Sequence, residues 1–292
     1  MFSNIKEARL VVDRFEAHVD EYESGYIDAL EYLIKETDDS LYMMKLGGWY
    51  YENRYFELAE KYYLMAAKKN DINAYSCLGY IYYYGRIGKK DYKKAYECYK
   101  KASDMGDIIS GYKLADMYHH GYYVEKDEQK YKEIIMSLYD EVRFESDLFA
   151  PVPEIFSRLG RIYLSEGHQE EGIELLLQAK DFLGQRLWES TFFGDLSIMK
   201  YLIKDIYEVI KLDREHLDVF DLYYILTKES AVLITYDEID FYIESYQDGS
   251  IKMNNVFYED VDDFFSRAKL TINKPIYSVY GYLDDMKLIY LK

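Results

Sequence analysis

The sequence predicts a mainly α protein, an α-solenoid of stacked helix-turn-helix repeats followed by a small C-terminal α+β module. Three observations carry this. Between residues 72 and 135 the chain aligns with itself at an offset of 36, which sets Leu78-Gly79 on Leu114-Ala115, Tyr82 on Tyr118, Gly85 on Gly121, Asp91 on Asp127 and Lys94 on Lys130. Within each block small and apolar residues recur at steps of three and four, the period of one helix face. After Ser230 that period gives way to short β-branched and aromatic runs.

Residues 1–39 read as two acidic helices that cap the array. Ile5, Ala8, Leu10-Val11-Val12 and Phe15 form one apolar face, and Tyr26, Ala29-Leu30 and Leu33-Ile34 form the next. Glu16, Asp20, Glu21 and Glu23 beside them read as a solvated outer face.

Residues 40–180 hold the repeats. Stepping back 36 from the second copy places Ala95 on Ala59, Tyr99 on Tyr63 and Ala102 on Ala66, and Leu46-Gly47 lies 32 before Leu78-Gly79. A looser fourth copy reads Phe156-x2-Leu159-Gly160-x2-Tyr163, then Gly172, Leu176 and Ala179. A large residue, Leu-Gly three and four later, and Tyr three beyond make one stripe on a first helix, where the small residue admits a second helix closely. Ala95, Cys98, Tyr99 and Ala102 supply the opposing stripe, with Lys93, Lys94, Glu97 and Lys100 on the wet side. Each such unit buries its face only by stacking on a neighbour, as a solenoid does. The third copy departs from the pattern with Tyr131 and Leu138 where small residues belong, and 140–154, with Pro151 and Pro153, interrupts the array.

Met43-x2-Leu46-Gly47-x2-Tyr50, Tyr75-x2-Leu78-Gly79-x2-Tyr82, Ala59-x3-Tyr63 and Ala95-x3-Tyr99 resemble tetratricopeptide repeats. With the 36-residue spacing, Ala74, Gly85, Asp91, Lys94-Ala95, Ala102 and Gly106 resemble the Sel-one-like subclass, whose repeats carry a longer, glycine-bearing turn between the helices. The resemblance covers about residues 40–180 and implies a protein-protein interaction scaffold or adaptor without catalytic activity.

Residues 181–230 read as C-terminal capping helices: Leu196, Met199, Tyr201-Leu202, Ile206 and Val209-Ile210 follow a Phe192-Phe193-Gly194-Asp195 corner, and 215–228 continues as helix. Residues 231–292 form the α+β module. Val232–Tyr236 and Ile239–Ile243 flank Asp237-Glu238 as a hairpin, and Asp248-Gly249 is a second turn leading to Ile251–Met253 and Val256–Tyr258. Glu259 to Phe265 opens a helix whose N-terminus favours its carboxylates, Asn273-Lys274-Pro275 marks a turn, and Lys287–Leu291 is a last strand.

Composition narrows the function. With 36 basic against 54 acidic residues the net charge is −18, and the first 39 residues alone hold 4 basic and 11 acidic. A phosphate backbone is repelled by most of such a surface, so nucleic acid is not the expected partner. No run approaches the ~18–20 apolar residues that span a bilayer, and Met1 to Glu7 has no apolar signal core. A cytoplasmic protein without membrane partners is expected. Cys77 and Cys98 show no metal or disulfide spacing and read as core residues.

Phosphate-cradling, metalloprotease, nucleophile-elbow and calcium-loop motifs are all missing from the sequence. His119-His120 with Asp116 one turn away suggests a metal, but adjacent helical residues point about 100° apart and do not share one site. Asp262-Asp263 reads as helix capping and Asp284-Asp285 as a turn, while His168 and His216 have no evident partners. No catalytic residue, metal or cofactor is expected.

Tyrosine is the compositional outlier, 36 of 292. Tyr50, Tyr82, Tyr118 and Tyr163 occupy the repeat's packing position, with ring between helices and hydroxyl at the edge. One residue further the first helix turns toward the inner wall, the binding face in repeats of this kind. Through the four copies that face reads Met44, Gly48 and Tyr51; Ser76, Tyr80 and Tyr83; Tyr112, Asp116 and His119; Ser157 and Arg161. Tyrosine suits an interface because it offers much area with few rotors to freeze. The expected function is capture of a protein or peptide segment on this face; the alternative is an acidic inhibitor or immunity-type protein that neutralises a basic effector.

Overall fold

The recurring aspartates are helix N-caps. The Asp39 carboxylate accepts from Leu41 N–H (2.9 Å), Asp71 from Ala74 (3.1 Å), Asp91 from Lys94 (3.0 Å), Asp107 from Ser110 (2.7 Å) and Asp127 from Lys130 (2.8 Å). Each satisfies an N–H that has no partner inside the helix, worth about 1 kcal/mol. The glycines at the 36-residue offset close helices: Gly85 (φ 66°) and Gly121 (φ 69°) take the left-handed C-cap conformation. At Gly85 a Cβ would also stand 2.7 Å from the Lys90 nitrogen, which excludes other residues twice over.

The structure, a computed structural model, describes residues 2–18, 23–189, 193–271, 274–279 and 285–292. Asp20, Glu21, Phe192, Asn273 and Asp284 lie outside the described residues. Contacts divide the chain into two compact units, Met1–Leu138 and Tyr139–Lys292.

In the first unit the elements are α1 (Ile5–Glu16), α2 (Glu23–Thr37), α3 (Ser40–Glu52), α4 (Phe56–Ala67), α5 (Ile72–Tyr84), α6 (Tyr92–Asp104), α7 (Ile108–His120) and α8 (Glu128–Val142), the last of which crosses the division. The two N-terminal helices share a core with α3 and α4, built on Ala8, Val12, Leu30, Leu33, Tyr42, Leu46 and Tyr62. A second core runs through the repeats with Met43, Ala59, Tyr63, Leu78, Ile81, Tyr82, Ala95, Tyr99, Leu114 and Met117. In the third copy the small contact moves to Gly111, 3.1 Å from the Leu138 side chain if it carried a Cβ, so the larger residue on α8 is matched by a smaller one on α7.

In the second unit α9 (Val152–Ser165) and α10 (Gln169–Glu189) form a helical hairpin in which a Cβ on Gly160 would meet the Gly172 carbonyl at 2.9 Å. Helix α10 runs through position 180 without a break. After α11 (Phe193–Val209) the expected helix over 215–228 shrinks to a 3-10 turn, Val219–Asp221, and the four-residue α12 (Leu222–Ile225). The cause is electrostatic: Asp218 and Asp221 both turn to Lys180 on α10, at 2.6 and 2.7 Å, and Tyr207 donates to Asp221 at 2.6 Å. Asp218 and Asp221 also cap each other's backbone at this turn, which fixes an irregular entry.

The module is a five-stranded antiparallel sheet of order β4-β3-β2-β1-β7, made of β1 (Ser230–Tyr236), β2 (Ile239–Ser245), β3 (Ile251–Met253), β4 (Val256–Tyr258) and β7 (Asp285–Leu291), with a two-stranded β5 (Lys269–Thr271) and β6 (Lys274–Pro275) beside it. The hairpin pairs Val232 with Ile243 and Ile234 with Phe241, as the alternation requires. Val232, Ile234, Phe241, Ile243, Ile251 and Tyr258 face inward, and α13 (Val261–Arg267) contributes buried Phe264 and Phe265, the latter stacked on Tyr223 at 3.8 Å.

Candidate functional site

The packing tyrosines behave as their position requires. Tyr82 is buried with its hydroxyl donating to Glu60 at 2.6 Å, Tyr50 stacks on Tyr62 at 5.6 Å, and the Tyr118 hydroxyl meets that of Tyr96 at 3.0 Å.

One position further round α3 and α5, the rings line up with one another. Tyr51 meets Tyr80 edge-on with centroids 6.0 Å apart, Tyr80 meets Tyr84 at 4.3 Å, and Tyr84 meets Tyr83 at 5.0 Å. From Tyr83 the row continues to Tyr92 (5.6 Å) and Tyr122 (6.0 Å), which stack on each other at 4.4 Å. These rings are half-buried, and Tyr84 is 39% exposed. Burial raises the Tyr83 hydroxyl pKa, with nearby Asp116 adding to the effect. Aromatic pairs of this kind add about 0.5–1.5 kcal/mol each beyond area, which favours one arrangement of the rings.

Cations border the strip. The Arg86 guanidinium lies 5.6 Å from the Tyr80 and Tyr84 ring centres and 5.8 Å from that of Phe56, with hydrogen bonds to the Tyr80 and Tyr51 hydroxyls. The Lys113 ammonium sits 5.7 Å from Tyr84 and 5.2 Å from Tyr112, and Lys90 lies 5.9 Å from Tyr92. Contacts of a cation with a ring face are attractive by about 0.5–2 kcal/mol.

The structure thus brings Tyr51, Tyr80 and Tyr83 together, with Met44 half-buried against the same core. Other residues read onto the face are otherwise engaged. Tyr112 is buried, and the half-buried Ser76 accepts from the Ser110 hydroxyl at 3.1 Å. Asp116 is half-buried beside Tyr83. His119 Nδ1 contacts the Glu128 carboxylate at 2.8 Å and its ring lies 4.7 Å from Tyr131. In the second unit Ser157 is buried and donates to the Glu154 carbonyl, while Arg161 donates to Asp205 on α11.

Arg86, Tyr84, Lys113, Tyr92 and Tyr122 were not on the predicted face. Arg86 follows the C-cap Gly85 and Tyr122 follows Gly121, so helix periodicity no longer says where those side chains point. The Asp262-Asp263 pair is engaged within the fold: Asp262 ion-pairs with Lys200, and Asp263 pairs with Arg267 and accepts from Glu259 N–H at 2.9 Å. Among the described residues no three His, Cys, Asp or Glu side chains gather as metal ligands, and no helix is long and apolar enough to cross a membrane.

Comparison with known proteins agrees with this geometry. The Sel1 repeat family model matches residues 40–71, 74–107 and 112–130, which are α3–α4, α5–α6 and α7 into α8. An uncharacterized Sel1-like repeat-containing protein of Schizosaccharomyces pombe is 38% identical over 97 residues, 33% of this chain; the chain spans only 14% of that relative's length. A Sel1 repeat protein from Oxalobacter formigenes superposes with a TM-score of 0.53 at 20% identity, over 68% of this chain and 75% of that one. A protective antigen of uropathogenic Escherichia coli strains with an SLR fold does so with a TM-score of 0.50 at 17% identity, over 76% and 52%. Residues 40–130 therefore carry Sel1 repeats, in a mainly α fold of stacked helix-turn-helix repeats followed by a small C-terminal α+β module.

Proposed function

We propose that the Sel1 repeats of the first unit hold a segment of another protein against the strip of Tyr51, Tyr80, Tyr83 and Tyr84. Sel1 repeats are in general protein-protein interaction scaffolds, and a row of tyrosines bordered by cations is consistent with such a surface. The observation that carries the reading is the continuous row of ring contacts from Tyr51 through Tyr80 to Tyr84 and Tyr83, in which Tyr51 and Tyr83 pack on the core and all four residues stay partly open to solvent. Rigid aromatic anchors of low rotamer entropy are what protein-binding surfaces concentrate.

The test compares the intact chain with Tyr80→Ala/Tyr83→Ala in capture from native extract, with thermal melting of both to show that the variant folds. A partner retained by the intact chain and lost by the folded variant supports the reading. Equal retention by both moves the binding site off the tyrosine strip.

A further inference from the structure

The stretch Arg86-Ile87-Gly88-Lys89-Lys90-Asp91-Tyr92-Lys93-Lys94 carries five cations and one carboxylate in a chain of net charge −18. The carboxylate is spent: Asp91 caps α6 by accepting from Lys94 N–H. Arg86, Lys89, Lys90, Lys93 and Lys94 are exposed, and among the described residues none of the five forms an ion pair, although lysines elsewhere in the unit, such as Lys45 with Glu16 and Lys100 with Asp104, do.

Fold stability accounts for only part of this. Arg86, Lys89 and Lys90 follow the C-terminus of α5, where the helix dipole favours positive charge. Lys93 and Lys94 occupy the first turn of α6, where the dipole disfavours it and no acidic residue is present. Lys94 is partly compensated by the Tyr82 ring, whose centre lies 4.8 Å from its ammonium, while Lys93 stands exposed against the dipole in an otherwise acidic protein.

The basic stretch adjoins the tyrosine strip at both of its ends. Arg86 is held among Phe56, Tyr80 and Tyr84, and Lys90 borders Tyr92, whose ring contacts Tyr83. Lys113 adds a third cation over Tyr84, with Asp116 near Tyr83 as the opposing charge. A guanidinium oriented by aromatic faces and tyrosine hydroxyls is a preorganised fork for carboxylates.

The geometry points to an acidic peptide segment as the occupant of the tyrosine strip, its carboxylates on Arg86, Lys89 and Lys90 and a bulky apolar side chain against Tyr51, Tyr80 and Tyr84. This deepens the function proposed above and rests on it. A long polyanion is a poorer fit, because charges beyond about 8–10 Å are screened and a nucleic-acid strand reaching past the patch meets the acidic remainder of the surface.

The experiment is fluorescence anisotropy on the full chain with a labelled peptide of alternating Glu and Asp around one Phe and one Leu, beside its Lys/Arg charge-reversed counterpart. The acidic peptide should bind, more weakly as salt rises, with affinity lowered about tenfold or more by Arg86→Glu and further by Lys89→Glu/Lys90→Glu. Arg86→Gln, which removes charge without reversing it, should fall between, and far-UV melting verifies each variant's fold. No binding of the acidic peptide, equal or tighter binding of the basic one, or indifference to Arg86→Glu overturns the inference. If both peptides bind alike and both are lost in Tyr80→Ala/Tyr83→Ala, the strip stands and the charge preference falls. If the acidic peptide responds to Arg86→Glu but not to the tyrosine variant, the strip itself is wrong. Preference for a single-stranded oligonucleotide over the peptide, or a dimer in sedimentation that Arg86→Glu dissolves, also overturns it.

Discussion

The Tyr99 ring occupies the space that a Cβ on Gly79 would take, with Cδ1 and Cε1 each 2.5 Å from that position. Tyr63 stands in the same relation to Gly47, at 2.6 Å from its Cε1. In both repeats the missing side chain on the first helix is the socket for the tyrosine of the second.

Gly79→Ala is accordingly expected to destabilise the chain by up to about 2 kcal/mol, the overpacking cost of about 1–3 kcal/mol less the helix-propensity gain of about 1. Tyr99 is buried and has little room to yield. At Gly48 a Cβ meets nothing within 4 Å, so Gly48→Ala should be neutral or stabilise by about 0.5–1 kcal/mol. Urea denaturation of the two variants decides it; equal effects contradict the socket.

That socket explains why the repeats were legible in the sequence. Gly79 and Tyr99 are twenty residues apart on adjacent helices, and the pairing recurs sixteen residues apart as Gly47 and Tyr63, across a turn four residues shorter, so the contact is encoded between neighbouring helices of one repeat. The same logic placed Tyr51, Tyr80 and Tyr83 on one face, where their rings do neighbour one another, because α3 and α5 carry them on a regular helical grid. It does not reach Arg86, which lies past the left-handed Gly85, and it cannot tell that Ser157 and Tyr112 are buried. The expected helix at 215–228 was lost to a partner, Lys180, that lies too far back in the sequence for any window to include.

Lys180→Met should be among the most damaging single substitutions in the second unit. It leaves Asp221, whose side chain is 2% exposed, buried without its cation, a change that costs about 3–5 kcal/mol. Tyr207→Phe removes one donor to the same carboxylate and should cost about 1.5–3 kcal/mol. Denaturant midpoints report both, and a Lys180→Met loss below that of Tyr207→Phe contradicts the assignment of Lys180 as principal partner.

Alkaline pH should unfold the chain well before the buried phenols would titrate in the folded state. Burial pushes the Cys77 thiol from 9.0 to about 11, Cys98 to about 12, and the Tyr62 and Tyr96 hydroxyls from 10.0 to about 12. Folded values above unfolded ones mean that the stabilisation is fully present below the unfolded values. It is lost as pH rises from about 9 through 12. Phenolate absorbance followed with circular dichroism should show these tyrosines ionising together with unfolding, and both thiols should resist Ellman's reagent at neutral pH until denaturant is added. Rapid reaction of either half-buried thiol in the folded chain contradicts its raised pKa.

At the acid end, Asp263 should titrate at about 2, held below its usual 3.8 chiefly by Arg267 and also by the Glu259 N–H. A depressed folded value makes its contribution fully present above 3.8 and lost as pH falls through about 2. Carboxyl chemical shifts across this window report it, and Arg267→Gln should move the midpoint back toward 3.8. An unmoved midpoint shows that the guanidinium is not the cause.

The antiparallel register that joins Ser230 to Leu291 on one side and to Ser245 on the other gives the second unit two very different searches during folding. The hairpin of β1 and β2 closes a two-residue turn, an event of about 1–10 μs, whereas β7 must find β1 across everything between them. Loop-closure entropy rises with that separation and slows pairing before any contact repays it. Refolding is therefore expected to order the Sel1 hairpins and the β1–β2 ribbon early, with docking of β7 as the slow final phase of the sheet.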